Sequence, residues 1–188
     1  MSFEVEQALR PELTRDERLL WSAMPQQGLR FRSADFLMVP FSLLWAGFAV
    51  FWEYSVVSEK HAPFFFVLWG IPFVLMGFYI VVGRFFLDSY KRSRTYYGVT
   101  DQRVIIVGGL TSREVKSLTL RSLSDISLNE RANNSGSITF GPANPAYSMW
   151  SGTSWPGATK SLAPSFEFVD DVRRVYNLIR EAQRNVPK

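Results

Sequence analysis

Two long apolar runs dominate the pattern of hydrophobic and polar positions along the chain. Residues 36–52 read FLMVPFSLLWAGFAVFW and residues 62–83 read APFFFVLWGIPFVLMGFYIVVG, and neither run contains a charged residue. A bilayer core about 30 Å thick needs roughly 20 apolar helical residues to cross it. The second run reaches that length by itself, and the first reaches it if Asp35 and Glu53 lie at the level of the lipid headgroups. The pattern therefore predicts two membrane-spanning helices.

Two buried helices of a soluble core would show the same apolar runs. The rest of the chain, however, offers too little apolar surface to cover both helices, whereas lipid covers them without further protein. We therefore expect a tight transmembrane helical hairpin within residues 34–90, with its helices at about 35–57 and 62–86. Residues 1–33 are interpreted as a cytoplasmic lead-in to this hairpin.

Positive charges flank the hairpin on one side of the membrane. The flanking cations are Arg10, Arg15, Arg18, Arg30 and Arg32 before the first run and Arg84, Lys91, Arg92 and Arg94 after the second. The short loop between the runs instead balances Lys60 and His61 against Glu53 and Glu59. Because Lys and Arg are retained on the cytoplasmic side, the sequence predicts a multi-pass protein of the cell (inner) membrane with both termini in the cytoplasm.

After residue 90 the hydrophobic pattern changes to the period of two that is typical of β-strands. The segment RTYYGVTDQRVIIVGG reads as a hairpin, and further strands are expected in REVKSLTL, LSDISLNE and SITFG. The last of these should present Ile138 and Phe140 on one face. Before it, ANNSG forms a turn whose Asn and Gly residues tolerate left-handed backbone angles. Short strands separated by turns predict an antiparallel sandwich or barrel.

The chain closes with the pattern of an amphipathic helix, FEFVDDVRRVYNLIREAQRN. We expect Asp170 to cap its N-terminus and Asp171 to lie in its first turn. The predicted apolar stripe comprises Phe168, Val172, Val175, Ile179 and Ala182. Such a stripe covers the face that a small sheet leaves open. The predicted fold class is an α+β membrane protein: a two-helix transmembrane hairpin followed by an antiparallel β-barrel or sandwich capped by a C-terminal α-helix.

The order of these segments resembles the bacterial pleckstrin-homology-like (PH-like) domain of small membrane proteins. The segment ERLLWSAMP also looks like the lead-in found before the hairpin in such proteins. The matching positions are Tyr97, Thr100, Arg103, Leu120, Ile126, the strand from Gly136 to Phe140, Phe168 and Asp170. The resemblance implies a strongly bent barrel in residues 91–188, on the cytoplasmic side. Its motifs mark turns and core positions and carry no chemistry.

Composition removes several classes of active site. The chain has no cysteine, which excludes disulfides, thiolate metal sites and thiol nucleophiles. Its one histidine, His61, lies in the predicted external loop, and neither a P-loop nor a GxSxG motif occurs. The net charge of +4 is too small to imply a nucleic-acid partner. We therefore expect no catalytic, cofactor-binding or metal site, no small-molecule substrate and no enzyme activity.

The segment 141–165 is long for a loop in a small domain, and loops of this length are usually functional or disordered. Its aromatic and sulfur-containing residues are Tyr147, Met149, Trp150 and Trp155. Three interpretations stay open: the side chains fill the open end of the sheet, they bind a protein partner or a second copy of the chain, or they dip into the lipid headgroups.

Basic residues raise a second functional hypothesis. In the predicted β-hairpin after residue 90, the turn TDQR offers Arg103 alone beside Asp101, which argues against a dedicated phosphoinositide pocket. Arg113, Lys116 and Arg121 could instead face an anionic leaflet. The first hypothesis is a non-enzymatic, membrane-anchored interaction or scaffold module that binds protein partners or itself. The alternative is a sensor of anionic lipid or envelope state that acts through these three residues.

Overall fold

The computed structural model describes residues 3–31, 35–61, 63–110, 112–141 and 163–185. Within them, the α-helices are α1 (Phe3–Leu9), α2 (Asp35–Ser58), α3 (Phe64–Phe78), α4 (Arg84–Arg92) and α5 (Val172–Asn185). The strands are β1 (Leu19–Ala23), β2 (Tyr96–Thr100), β3 (Arg103–Gly108), β4 (Glu114–Thr119), β5 (Ile126–Glu130), β6 (Gly136–Phe140) and β7 (Ser165–Val169).

The two apolar runs form long helices with exposed surfaces. Helix α3 continues into α4 through a π-helical turn at Tyr79–Gly83. By length and composition, the segments Met38–Ser58 and Phe64–Arg92 could each cross a membrane. Only 11% of the most apolar window of each segment is buried, and Phe36 is 90% exposed. Helices of a soluble core bury their apolar faces, so this exposure disfavours the soluble-core alternative.

Small residues let α2 and α3 approach each other closely. A Cβ built on Gly77 would lie 3.1 Å from the Cα of Ala46. Gly70 lies seven residues before Gly77 on α3, and it faces the carboxylate of Glu53. Glu53 in turn lies seven residues after Ala46 on α2. A seven-residue repeat keeps the contact on one face of each helix. The sequence pattern assigned Glu53 to the level of the lipid headgroups near the end of this helix, whereas in the structure its carboxylate faces Gly70 of α3.

The strands form two antiparallel sheets, ordered β1-β2-β3-β4 and β5-β6-β7. The strands expected after residue 90 are confirmed as β2 to β6. The edge strand β1, however, precedes the apolar helices: its Leu19 pairs with Thr100 and its Ala23 with Tyr97. Residues 1–33, interpreted as a separate lead-in, thus contribute a strand to the sheet of the C-terminal domain. Closure of the sheets as a barrel or a sandwich stays a prediction.

The four-stranded sheet is covered on both faces. On one face, Val5 and Leu9 of α1 pack against Ile105 and Val107 of β3. Gly98 of β2 lies directly beneath α1, since a Cβ there would lie 3.0 Å from the Cδ1 of Leu9. The opposite face joins the second sheet and α5 in the main core, which includes Tyr97, Val99, Val104, Leu120, Leu123, Ile138, Phe140, Phe166, Val169 and Val172.

The turn between β5 and β6 has the predicted backbone. Asn134 has a φ of 60°, in the left-handed region that Asn tolerates better than most residues. Beyond the turn, Ile138 and Phe140 are both buried, as the alternation predicts. The short turn therefore sets the register of β6.

Helix α5 buries its predicted stripe but begins later than the pattern indicates. Its buried residues are Val172, Val175, Ile179 and Ala182. Phe168, assigned to the same stripe, lies instead in β7, which pairs with β6. Asp171 directly precedes the helix, whereas the predicted cap, Asp170, accepts a hydrogen bond from the side chain of Gln26. Sheet pairing overrides the helical period at this point.

Candidate functional site

Four candidate residues from the sequence lie outside the described residues: Tyr147, Met149, Trp150 and Trp155. The described residues that flank this segment are held by backbone hydrogen bonds. The N–H of Gly141 donates to the carbonyl of Asp125 at 2.8 Å, and the carbonyl of Pro164 accepts from the N–H of Phe140 at 2.9 Å. The three interpretations of the 141–165 loop therefore stay predictions.

The structure does not bring Arg113, Lys116 and Arg121 together. Arg113 precedes β4 and Arg121 follows it, so the two are separated by roughly 25 Å at the usual rise of a strand. Arg113 faces α1: its Nη2 lies 2.9 Å from Glu12 Oε1 and donates to the carbonyl of Ala8 at 2.8 Å. Lys116 pairs with Glu114 at 3.5 Å. These cations do not form one surface.

A largely buried ion pair joins residues before the two apolar helices to the β-rich domain that follows these helices. Arg103 donates from Nε to Glu17 Oε1 and from Nη2 to Glu17 Oε2, each at 2.8 Å. Thr100 Oγ1 donates to Glu17 Oε1 at 2.7 Å, and Thr14 donates its N–H to Oε2 at 3.1 Å. The side chain of Glu17 is only 1% exposed. The turn TDQR is thus committed to a structural contact that the sequence did not indicate.

The environment of Glu17 holds its carboxyl group in the charged form. Burial acts to raise its pKa, but hydrogen bonds from Arg103, Thr100 and Thr14, together with the charge of Arg103, outweigh burial and lower the pKa from 4.5 to about 2. The hydrogen bonds to Glu17, together with the charges of Glu17 and Glu12, outweigh burial and raise the pKa of Arg103. The pair therefore stays ionised at neutral pH, and Arg103 is not free to bind a phosphate.

A second set of contacts connects α4 to the sheets. Arg92 pairs with Asp88 one turn earlier, and its Nη2 donates to the carbonyl of Gly28. The guanidinium of Arg92 also lies 5.0 Å from the ring centroid of Phe168, and that of Arg131 lies 4.8 Å from the same ring. Phe168 is therefore in contact with two cations, an arrangement favoured by the charge distribution of an aromatic ring.

Phe168 has an unusual backbone. Its φ is 53°, which is strained for a bulky residue and persists only where surrounding contacts impose it. Its carbonyl accepts a hydrogen bond from the N–H of Gln26 at 2.8 Å. Phe168 is thus contacted by α4, by the segment after β1 and by Arg131. These contacts hold the β-rich domain directly against the end of the second apolar helix.

A third ion pair joins the start of the first apolar helix to the end of the second. Arg84 Nη2, at the start of α4, lies 3.1 Å from Asp35 Oδ1, at the start of α2, and both side chains are 7% exposed. The ring of Phe85 lies 4.6 Å from the Arg84 guanidinium. Such a pair is costly to break, because either charge alone would remain buried. It closes the hairpin at the end nearest the domain.

The described residues show no clustered chemistry. Among them, no group of three or more His, Cys, Asp or Glu side chains is arranged to hold a metal ion. An open groove of about 790 Å³ runs between β1 and α5, and its lining includes Trp21, Leu178, Arg173 and Glu181. Charges of both signs beside apolar groups can contact a protein surface.

Comparison with known proteins gives one match. The model of the family described as Bacterial PH domain matches residues 36–183, which include both apolar helices and strands β2 to β7. No curated protein and no solved structure matches the chain. The match covers more than half of the chain. It agrees with the resemblance read from the β2–β3 hairpin, the Gly136–Phe140 strand and the C-terminal helix. The chain therefore belongs to the bacterial PH domain family.

Proposed function

We propose that this protein is a non-enzymatic interaction or scaffold module anchored in the membrane of a bacterial cell. The apolar helices cross the membrane as a hairpin, and the PH-like domain, a barrel or sandwich capped by α5, lies on the cytoplasmic side. There it binds protein partners or a second copy of the chain. The observation that carries the proposal is the packing of α4 onto the domain, in which Arg92 contacts Gly28 and Phe168.

The charge distribution supports the orientation. Arginines and lysines lie before α2 and in α4, whereas the loop between the helices carries balanced charges. Retention of cations in the cytoplasm favours an external loop and a domain inside the cell. In this arrangement the domain needs no reaction to act, because tethering alone raises its effective concentration for other membrane components.

Several ionisable groups of the described chain already have structural partners. Glu17 pairs with Arg103, Asp88 with Arg92, and Asp35 with Arg84. The alternative, a sensor of anionic lipid acting through Arg113, Lys116 and Arg121, is less favoured, because these cations are dispersed and Arg113 already pairs with Glu12. With lipid sensing through these residues less favoured, protein binding is the function that we propose.

The 141–165 loop is the proposed partner-binding surface, and site-specific crosslinking tests it. A photo-crosslinking amino acid is placed at Trp150 or Trp155 in the full chain, in cells. The matched control position is Val115 on β4, which is 40% exposed. We expect adducts from both loop positions and none from Val115, and mass spectrometry then identifies a second copy or another protein. Equal adduct patterns at all three positions would remove the loop as the contact surface.

A further inference from the structure

Large apolar side chains are exposed where the hairpin meets the domain. Leu29 is 58%, Phe31 66% and Phe86 64% exposed. The ring of Phe31 lies 5.4 Å from that of Phe85, in the first turn of α4, and α2 begins four residues after Phe31. These side chains therefore lie beside the ends of both apolar helices. Exposed aromatic and aliphatic groups in this position suit a bilayer interface.

Two arginines close to Phe31 form no ion pair among the residues that the structure describes. Arg131 donates from Nη2 to the carbonyl of Phe31 at 3.3 Å, and Arg30 is adjacent to Phe31 in the chain. Across the described residues, neither Arg30 nor Arg131 forms an ion pair, whereas nearby Arg84 and Arg92 do. Within the described part of the chain, the charges of Arg30 and Arg131 are thus not neutralised by a carboxylate.

We infer that a surface made of Leu29, Arg30, Phe31, Phe86 and Arg131, termed the junction patch, binds the phosphate groups of anionic lipids and places its apolar side chains at the bilayer interface. The inference rests on the proposed membrane-spanning hairpin, because the hairpin is what brings the patch to the lipid. Guanidinium groups suit phosphate because their N–H groups match its oxygen atoms. A juxtamembrane arginine also gains binding free energy from a negative leaflet.

Lipid fits this surface better than a protein does because the patch is continuous with the apolar helices. Phe31 and Phe86 extend the exposed apolar surface of the hairpin, and the unpaired cations lie on its border. The patch is separate from Arg113, which is occupied by Glu12 and α1. The domain would therefore contact the leaflet through its junction with the hairpin and through the β5–β6 turn that begins at Arg131.

Spin labelling of the full chain in lipid nanodiscs tests the inference. Because the chain has no cysteine, Leu29→Cys carries a single label, as do Phe73→Cys within α3 and Val115→Cys on β4. Accessibility to oxygen and to a water-soluble nickel chelate is measured in zwitterionic nanodiscs and in nanodiscs with increasing phosphatidylglycerol. We expect the label at position 29 to enter the lipid as phosphatidylglycerol increases, while that at position 115 stays in water.

Charge variants connect this response to the patch. Replacing both Arg30 and Arg131 with Gln should raise the phosphatidylglycerol content needed for half of the response severalfold, because each arginine contributes to the attraction to a negative leaflet. Arg174→Gln, an exposed arginine of α5, should leave it unchanged. Arg131→Lys keeps the charge and should keep most of the response, which separates lipid binding from the loss of the contact with Phe168.

The labels also separate the possible failures. If the label at Phe73 is not immersed in lipid, the proposed hairpin is wrong. If it is immersed but the label at Leu29 ignores phosphatidylglycerol, or if the double Gln variant responds like the native chain, the junction patch does not bind anionic lipid. Immobilisation of the Leu29 label only in nanodiscs that hold two copies would assign the patch to self-association and overturn the inference.

Discussion

At the scale of single residues, Glu17 and Arg103 connect parts of the chain that lie on either side of the apolar helices. Their two hydrogen bonds of 2.8 Å are formed with the Glu17 side chain almost fully buried. Removing Arg103 would leave the Glu17 carboxylate buried without a counter-charge, and removing Glu17 would take away the main acceptor of the partly buried Arg103, so both changes are destabilising. The pair therefore stabilises the contact between the residues before α2 and the β2–β3 turn.

The lowered pKa of Glu17 predicts a defined pH dependence. Because the folded-state pKa is below the ordinary value, the contribution to stability is complete above pH 4.5 and is lost as the pH falls from 4.5 to about 2. At pH 7, Glu17→Gln should lower the free energy of unfolding by about 3 kcal/mol. Denaturant unfolding of the full chain in a non-ionic detergent, from pH 7 to pH 3, measures this difference.

A matched control for this prediction is Glu130→Gln. Glu130 pairs with Arg173 on an open surface, where the Arg173 side chain is 69% exposed. Exposed pairs contribute little to stability, so this variant should change the free energy of unfolding much less than Glu17→Gln. A Glu17→Gln protein that is as stable as the native chain at pH 7 would contradict the structural role of the pair.

The chemistry of these residues was only partly predictable from the sequence. The absence of a free basic cluster at TDQR followed from the residues themselves, since Arg103 lies beside Asp101. Its partner Glu17 begins the segment ERLLWSAMP, which resembles the family's lead-in, but that resemblance did not indicate a contact with a residue beyond both apolar helices. The convergence of Arg92 and Arg131 on Phe168 was equally invisible, since the three residues lie in separate parts of the chain.

At the scale of secondary-structure elements, local patterns predicted most strands and missed two. Strands β2 to β6 lie where alternation and turn residues indicated them. Strand β1 has five residues and pairs with a partner beyond both apolar helices, so no neighbouring turn indicates it. Strand β7 was assigned to the following helix, because Phe168 continues the helical spacing of Val172 and Val175. Long-range sheet pairing decided both cases, and a local pattern does not contain it.

The contact between α2 and α3 gives a prediction at this scale. Gly77→Leu should separate the helices, because even a Cβ at this position would lie 3.1 Å from Ala46 Cα. We expect a loss of about 1–3 kcal/mol, typical of overpacking. Gly47→Leu is the matched control, since nothing lies within 4 Å of a Cβ at that glycine. Unfolding of the full chain in mixed detergent micelles compares them, and equal stability of the two variants would refute the close contact.

At the scale of the whole molecule, the apolar helices and the β-rich domain form one connected structure. The edge strand before the hairpin and the remaining strands after it belong to the same sheet, so the two ends of the hairpin must lie on the same side. The ion pair of Asp35 with Arg84 and the contacts of Phe168 lie at this connection. This topology supports the proposed hairpin, because a chain that crosses a membrane twice returns to the side from which it started.

The most direct test of the account is accessibility labelling of single cysteines in intact bacterial cells. Lys60→Cys places a thiol in the loop between the helices, and Glu181→Cys places one on α5 of a chain that otherwise has no thiol. A membrane-impermeant maleimide should label position 60 in intact cells and position 181 only after the membrane is permeabilised. Protection of position 60 together with labelling of position 181 would contradict the proposed cytoplasmic orientation, and recovery of the full chain in the soluble fraction without detergent would contradict the membrane hairpin itself.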